Sequence, residues 1–226
     1  MSNLQKKLEE AQEKWKILAK DKSGRWHSFS IFHNAFISRP AVLSETDRQN
    51  LALHLFAYLA SWGMLRNSFL MQKDYLFLTE TIDILIQNKY DFLKDINPFD
   101  RNFNQEEYIH AVLGLKAELK NKLVQASYIK KDRLQTPFIR DILLSKILLG
   151  AFACIPAYDS VVSKRFFEID PQRFRKYEKF DRKGLGNLLS FIKANEKELI
   201  VAQNLENEYF KEKYSIMKVV DLLLWV

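Results

Sequence analysis

The side chains best suited to chemistry gather in residues 141–169, DILLSKILLGAFACIPAYDSVVSKRFFEI. Ile142, Leu143, Ile147 and Leu148 define the apolar face of a helix, and Lys146 sits at the edge of that face. The helix must break at Pro156. Beyond the break come Tyr158 and Asp159, then the cations Lys164 and Arg165. Asp159 near a new helix start can serve as a cap for backbone N–H groups, helped by the helix dipole. The same carboxylate facing a basic groove could stabilise developing positive charge or activate water. Asp159, Tyr158 and Lys146 are therefore the candidate catalytic residues.

The flanks of this stretch carry the charge. The chain's formal net charge is +7. Residues 1–115 hold 14 Lys/Arg against 14 Asp/Glu, residues 116–183 hold 16 against 8, and residues 184–226 hold 5 against 6. Such a field attracts polyanions, nucleic acid first. In residues 164–183, KRFFEIDPQRFRKYEKFDRK, cations alternate with aromatics, a composition suited to phosphate contacts and base stacking. Arg140, Lys164, Arg165, Arg173, Arg175, Lys176 and Lys179 are the candidate nucleic-acid-binding residues. The competing interpretation packs Phe167, Phe174 and Tyr177 inward and leaves the charges solvated.

The segment LLSKILLGAFACIPAYDSVV resembles the helix-then-aspartate element of the helix-hairpin-helix DNA glycosylase superfamily. There an apolar helix runs into a proline, and an aspartate opens the next helix. The resemblance implies that Asp159 is a catalytic aspartate, that DNA rather than RNA is the partner, and that a base is extruded into a pocket lined by Tyr158, Trp62 or Phe152. Residues 136–145, TPFIRDILLS, hold no glycine where that superfamily has its glycine-containing hairpin. The stretches LALHLFAYLASWGM and LLSKILLGAFACIPAYDS also resemble a family of uncharacterised bacterial helical proteins, which implies no function. A third likeness lies in RQNLALH: Arg48 and His54 resemble the Arg/His motif of HEPN ribonucleases, which implies RNA cleavage at a dimer interface. The third class of function is a helical adaptor without catalysis, contacting partners through residues 4–19 and the apolar residues 222–226.

Other chemistry is excluded or disfavoured. The single cysteine, Cys154, rules out an intrachain disulfide and a cysteine zinc site, and its apolar setting reads as a buried thiol. His27 and His33 are six residues apart with no carboxylate between them, so no metal site is expected. There is no P-loop, dinucleotide fingerprint or nucleophile elbow, and no cofactor is expected. The N-terminus, MSNLQKKLEEAQEKWKILAK, is charged and amphipathic, unlike a signal peptide, and no run reaches the roughly 18 apolar residues of a membrane span. A soluble cytoplasmic protein is the expectation.

The elements that position these residues read as helices. Leu4, Leu8, Ala11, Trp15 and Leu18 share one helical face, as do Phe29, Phe32, Ala35 and Phe36. Ser44 with Asp47 forms a capping box ahead of a long apolar helix over 47–64, expected at the centre of the core. A further helix is expected over 69–88, then a loop over 95–104, and an amphipathic helix over 105–127. Residues 129–135 read as a basic connector, Thr136-Pro137 as a helix start, and residues 181–186 as a turn. Residues 188–205 and 209–225 close the chain as helices, with the terminal VVDLLLWV buried or a short strand. With 6 Gly, 5 Pro and little strand-type alternation, the class is all-α. The expectation is one compact globular domain of about eight to ten helices. Two helical lobes around a cleft, divided near 95–104, fit the same pattern.

Overall fold

A computed structural model of the chain describes residues 3–176 and 178–226. It is 65% helical and forms an all-α single domain. The helices are α1 (Asn3–Leu18), α2 (His27–Ile37), α3 (Glu45–Ser61), α4 (Thr79–Leu85), α5 (Gln105–Leu123), α6 (Asp141–Phe152), α7 (Ser160–Ile169), α8 (Arg182–Ala194), α9 (Glu196–Phe210) and α10 (Ile216–Trp225). A two-stranded hairpin, β1 (Tyr128–Lys130) and β2 (Arg133–Gln135), lies between α5 and α6.

Two helices form the middle of the core because their sequences leave no polar face. α6 buries every residue from Leu143 to Phe152. α10 buries every residue from Ile216 to Leu224, so the apolar C-terminal run is helical and interior. α1 covers this core with Leu4, Leu8, Ala11 and Trp15, packing on α9 and α10. The apolar face of α1 and most of residues 222–226 are therefore packed inside the molecule, while the charged face of α1 stays exposed. α3 is less central than its composition suggests. It buries Leu51, Ala52, Leu55, Tyr58 and Leu59, while Leu53, Ala57 and Ala60 face outward.

Local chemistry explains most boundaries. Ser44 and Asp47 close the expected capping box. α3 ends at Gly63, whose φ of 74° suits glycine; Gly63 N–H donates to Ala60 O and Met64 N–H to Leu59 O, the Schellman pattern. The helix expected over 69–88 is instead two 3₁₀ turns, Phe69–Gln72 and Tyr75–Leu78, followed by α4. Ser68 and Asp74 each accept from an N–H two residues on, starting separate turns, and Lys73 between them is extended. The basic connector folds as the hairpin because Lys131 and Asp132 adopt positive φ, 51° and 59°. Thr136-Pro137 starts no helix: residues 136–140 hold no regular secondary structure, Arg140 is extended, and α6 begins at Asp141. Asp181 opens α8 by capping Gly184 N–H, so residues 181–186 are a helix start. The closing region breaks at Asn195 and at Lys211, which has φ 57°.

Candidate functional site

Residues 153–159 connect α6 to α7 through the protein interior, and only their two ends bond to helix backbone, Ala153 N–H donating to Leu149 O and Asp159 O accepting from Ser163 N–H. Four side chains from α5, α6 and α10 bond to others. Ala153, with φ 48°, ends α6, and its carbonyl accepts from Ser215 Oγ at 2.6 Å. Cys154 O accepts from the Tyr108 hydroxyl at 2.9 Å. Ala157 N–H donates to Asp221 Oδ1 at 2.9 Å, and Tyr158 N–H donates to Ser145 Oγ at 2.9 Å.

The two aspartates at this connection do parallel work. Asp159 Oδ1 caps α7, accepting from Val161 N–H at 3.0 Å and Val162 N–H at 2.9 Å, while Oδ2 faces Lys146 Nζ at 3.3 Å. Asp221 Oδ1 holds Ala157, while Oδ2 faces Lys218 Nζ at 3.0 Å. All four side chains are buried; Asp159 is the most exposed, at 8%. Trp62 lies beside both lysines, its ring centroid 4.8 Å from Lys146 Nζ and 5.9 Å from Lys218 Nζ. Lys218 also sits 4.4 Å from the Phe29 ring. Buried ammonium groups are tolerable here because each has a carboxylate and an aromatic face.

The groups around this cluster are shifted by the same low-dielectric setting. Burial pushes the Tyr58 hydroxyl well up, and the charges of Asp221 and Asp159 push it further. Glu206 is wholly buried, and neither of its carboxylate oxygens has a hydrogen-bond partner among the described residues. Burial pushes its carboxyl well above the usual range, opposed by the Lys218 charge, and so favours the neutral acid. His33 stacks on Phe29, places Nδ1 3.2 Å from Gly150 O, and is pushed down by burial.

Of the three candidate catalytic residues, two meet. Lys146 and Asp159 are paired; Tyr158 turns the other way and stacks on Phe180 with ring centroids 5.1 Å apart. Its hydroxyl is pushed up by burial first, then by Glu178, Asp181 and Asp141. Asp159 is not at the mouth of a groove: it is buried, with one oxygen on backbone N–H groups and the other on lysine. The helix cap and the ion pair thus occupy the group that catalysis would need free. Phe152 cannot line a pocket either, since it packs on Phe36 in the core.

The candidate nucleic-acid-binding residues divide. Lys164 and Arg165 pair with Glu168, and Arg173 pairs with Asp170, each within one or two turns of chain. Arg140, Arg175 and Lys179 are exposed with no carboxylate partner among the described residues, and Lys176 is exposed. Phe174 packs inward against Phe166 and Phe191. Phe167 stays 36% exposed, because Val162, Ser163 and Phe166 define the buried face of α7. Tyr177 lies outside the described residues. Arg48 pairs with Glu45 and Asp83, whereas His54 lines a cleft with Lys22, Arg25 and Tyr58.

Lys218, Asp221, Tyr58 and Glu206 escaped the sequence analysis. A signal for the first two was present: a lysine and an aspartate three apart inside the apolar run IMKVVDLLLW can only be buried as a pair. Among the described residues, no group of three or more His, Cys, Asp or Glu could hold a metal ion, and no helix is long and apolar enough to cross a membrane. No protein-family model, curated protein or solved structure matches this chain.

Proposed function

We propose that this chain is a cytoplasmic nucleic-acid-binding protein, with DNA the favoured polymer, and that the binding surface runs along α5. The observation that carries the reading is the placement of uncompensated cations. Lys116, at mid-helix, pairs with Asp141 at the head of α6 and donates to the Phe180 carbonyl, while Arg182 pairs with Glu106 in the first turn of α5. Residues 175–183, the head of α6 and the β1–β2 hairpin therefore follow one another along a 19-residue helix, about 28 Å in length. Along that line Lys179, Lys183, Arg140, Lys120, Lys130 and Arg133 are exposed with no carboxylate partner among the described residues. This spacing suits several consecutive backbone phosphates.

The test is the salt dependence of duplex affinity, read by fluorescence polarisation. Each phosphate contacted lowers the slope of log K against log salt by roughly 0.9, so a steep negative slope is expected. The R140A/R175A/K179A variant is expected to weaken binding across sequences and to flatten the slope by about one for each contact removed. Salt-insensitive or absent binding refutes the proposal. Base excision by Asp159 is a narrower claim, because the Lys146 pair must open before that carboxylate can act. Product release from modified duplexes by the unaltered chain, lost in K146M/D159N with duplex affinity retained, supports excision; no release rejects it.

A further inference from the structure

A second cleft, of about 290 Å³, opens between the α1–α2 connection and α3, far along the chain from the surface just described. Its polar lining includes Lys22, Arg25, His27, Ser28, His54 and Ser61, and among the described residues no carboxylate lines it. We infer that this cleft is a binding site for a phosphate monoester, with Arg25 and His54 as its principal ligands.

Arg25 is held against aromatic rings. Its guanidinium carbon lies 4.4 Å from the Trp225 ring centroid, 5.0 Å from that of Trp62 and 5.6 Å from that of Trp26. The three indoles pack edge to face on one another, with centroids 4.8–5.4 Å apart. Arginine in a protein is ordinarily fixed by a carboxylate, which uses up its N–H groups. Here aromatic faces fix the cation, and among the described residues its guanidinium makes no hydrogen bond or ion pair. A planar fork of five donors is thus left pre-positioned and unspent, the arrangement that recognises a phosphoryl group bidentately. Independently, His54 lines the same cleft; its Nδ1 is closed off and has no hydrogen-bond partner among the described residues, which leaves Nε2 as the ring atom for a ligand. Lys22, exposed at the rim, adds a second positive charge. Ser28 and Ser61 already donate to backbone carbonyls, so their oxygens remain available as acceptors for the protonated form of the ester. The volume admits the phosphoryl group with a small organic substituent.

The phosphoryl group could belong to a free small-molecule ester or to the end of a polynucleotide, and the experiment separates them. Arg25 rests on three of the chain's 4 tryptophans, so ligand binding should alter intrinsic fluorescence. The probes are inorganic phosphate, a nucleoside 5′-monophosphate, and single-stranded oligonucleotides with and without a 5′-phosphate, at ionic strength held with chloride. Calorimetry on the same samples gives affinities for variants whose fluorescence differs. Saturable binding is expected for the phosphate and the monophosphate, with affinity lowered about ten- to a hundred-fold in R25Q and in H54A through loss of charge-assisted hydrogen bonds. A preference for the 5′-phosphorylated strand over the monophosphate identifies a polymer end; the reverse identifies a free ester. Absence of saturable binding overturns the inference. So does unchanged affinity in R25Q and H54A that retain the helical circular-dichroism spectrum. The inference does not depend on duplex binding along α5: R25Q should leave the salt-dependent affinity for a hairpin duplex unaltered.

Discussion

Asp159 joins two stabilising roles in one side chain, and substitutions can separate them. Oδ1 caps α7 and Oδ2 neutralises Lys146, which is only 4% exposed. Asparagine is as good a cap as aspartate, so D159N keeps the cap and removes the charge. That leaves a buried ammonium with only the Trp62 ring for company, a loss of about 3–5 kcal/mol. For a chain of this length the change corresponds to roughly 6–20 °C in Tm. D159A should cost about 1 kcal/mol more, the worth of the cap. In K146M/D159N the stranded charge is gone and the methionine fills the lysine stem's space, so most of the loss should return. Urea unfolding at pH 7, followed by circular dichroism, measures all four proteins, and the single variant K146M closes the double-mutant cycle. The reasoning fails if D159N costs less than about 1 kcal/mol, or if the double variant is no more stable than D159N.

Four further outcomes follow from the interior. Glu206 has its folded pKa raised, so the folded state holds a proton that the unfolded state releases above about pH 4.5. Stability should therefore fall as pH rises from there toward the folded pKa, by up to about 1.4 kcal/mol per pH unit, and E206Q should flatten that decline and stabilise the protein at neutral pH. His33 is displaced the other way: its pKa is lowered in the fold, so stability should fall as pH drops below about 6.5, and H33N should reduce that slope in acid titrations of Tm. Gly150→Ala would place a Cβ 2.7 Å from Tyr58 Cε1 and 2.8 Å from Phe32 Cδ1; despite the better helix propensity of alanine, a net loss of about 1–2 kcal/mol in urea unfolding is expected. Cys154 is fully buried and its thiol is pushed up by burial, so a thiol reagent should leave the native protein untouched and react at the unfolding rate.

Periodicity and capping chemistry in the sequence were enough to define the helical class. The faces Leu4–Leu8–Ala11–Trp15 and Phe29–Phe32–Phe36 and the Ser44–Asp47 box each rest on residues within one or two turns of each other, and such local terms survive into the fold. Boundaries were lost where a single side chain redirected the backbone, as Asp74 does before Tyr75–Leu78 and Lys131–Asp132 do in the hairpin. The likelihood that Asp159 caps a helix was also legible, because a cap is local.

What the sequence could not supply was the company Asp159 keeps. Its pairing with Lys146 spans 13 residues, the parallel anchor of Ala157 on Asp221 spans 64, and Arg25 meets Trp225 from opposite ends of the chain. The last two place α10 against the α6–α7 connection and the α1–α2 connection, which no local pattern encodes. The sequence by itself determined an all-α chain with its excess positive charge in residues 116–183 and an aspartate opening a helix after Pro156. Only the tertiary structure decided that this aspartate is spent inside the protein, because a lysine brought beside it in a dry interior cannot remain unpaired.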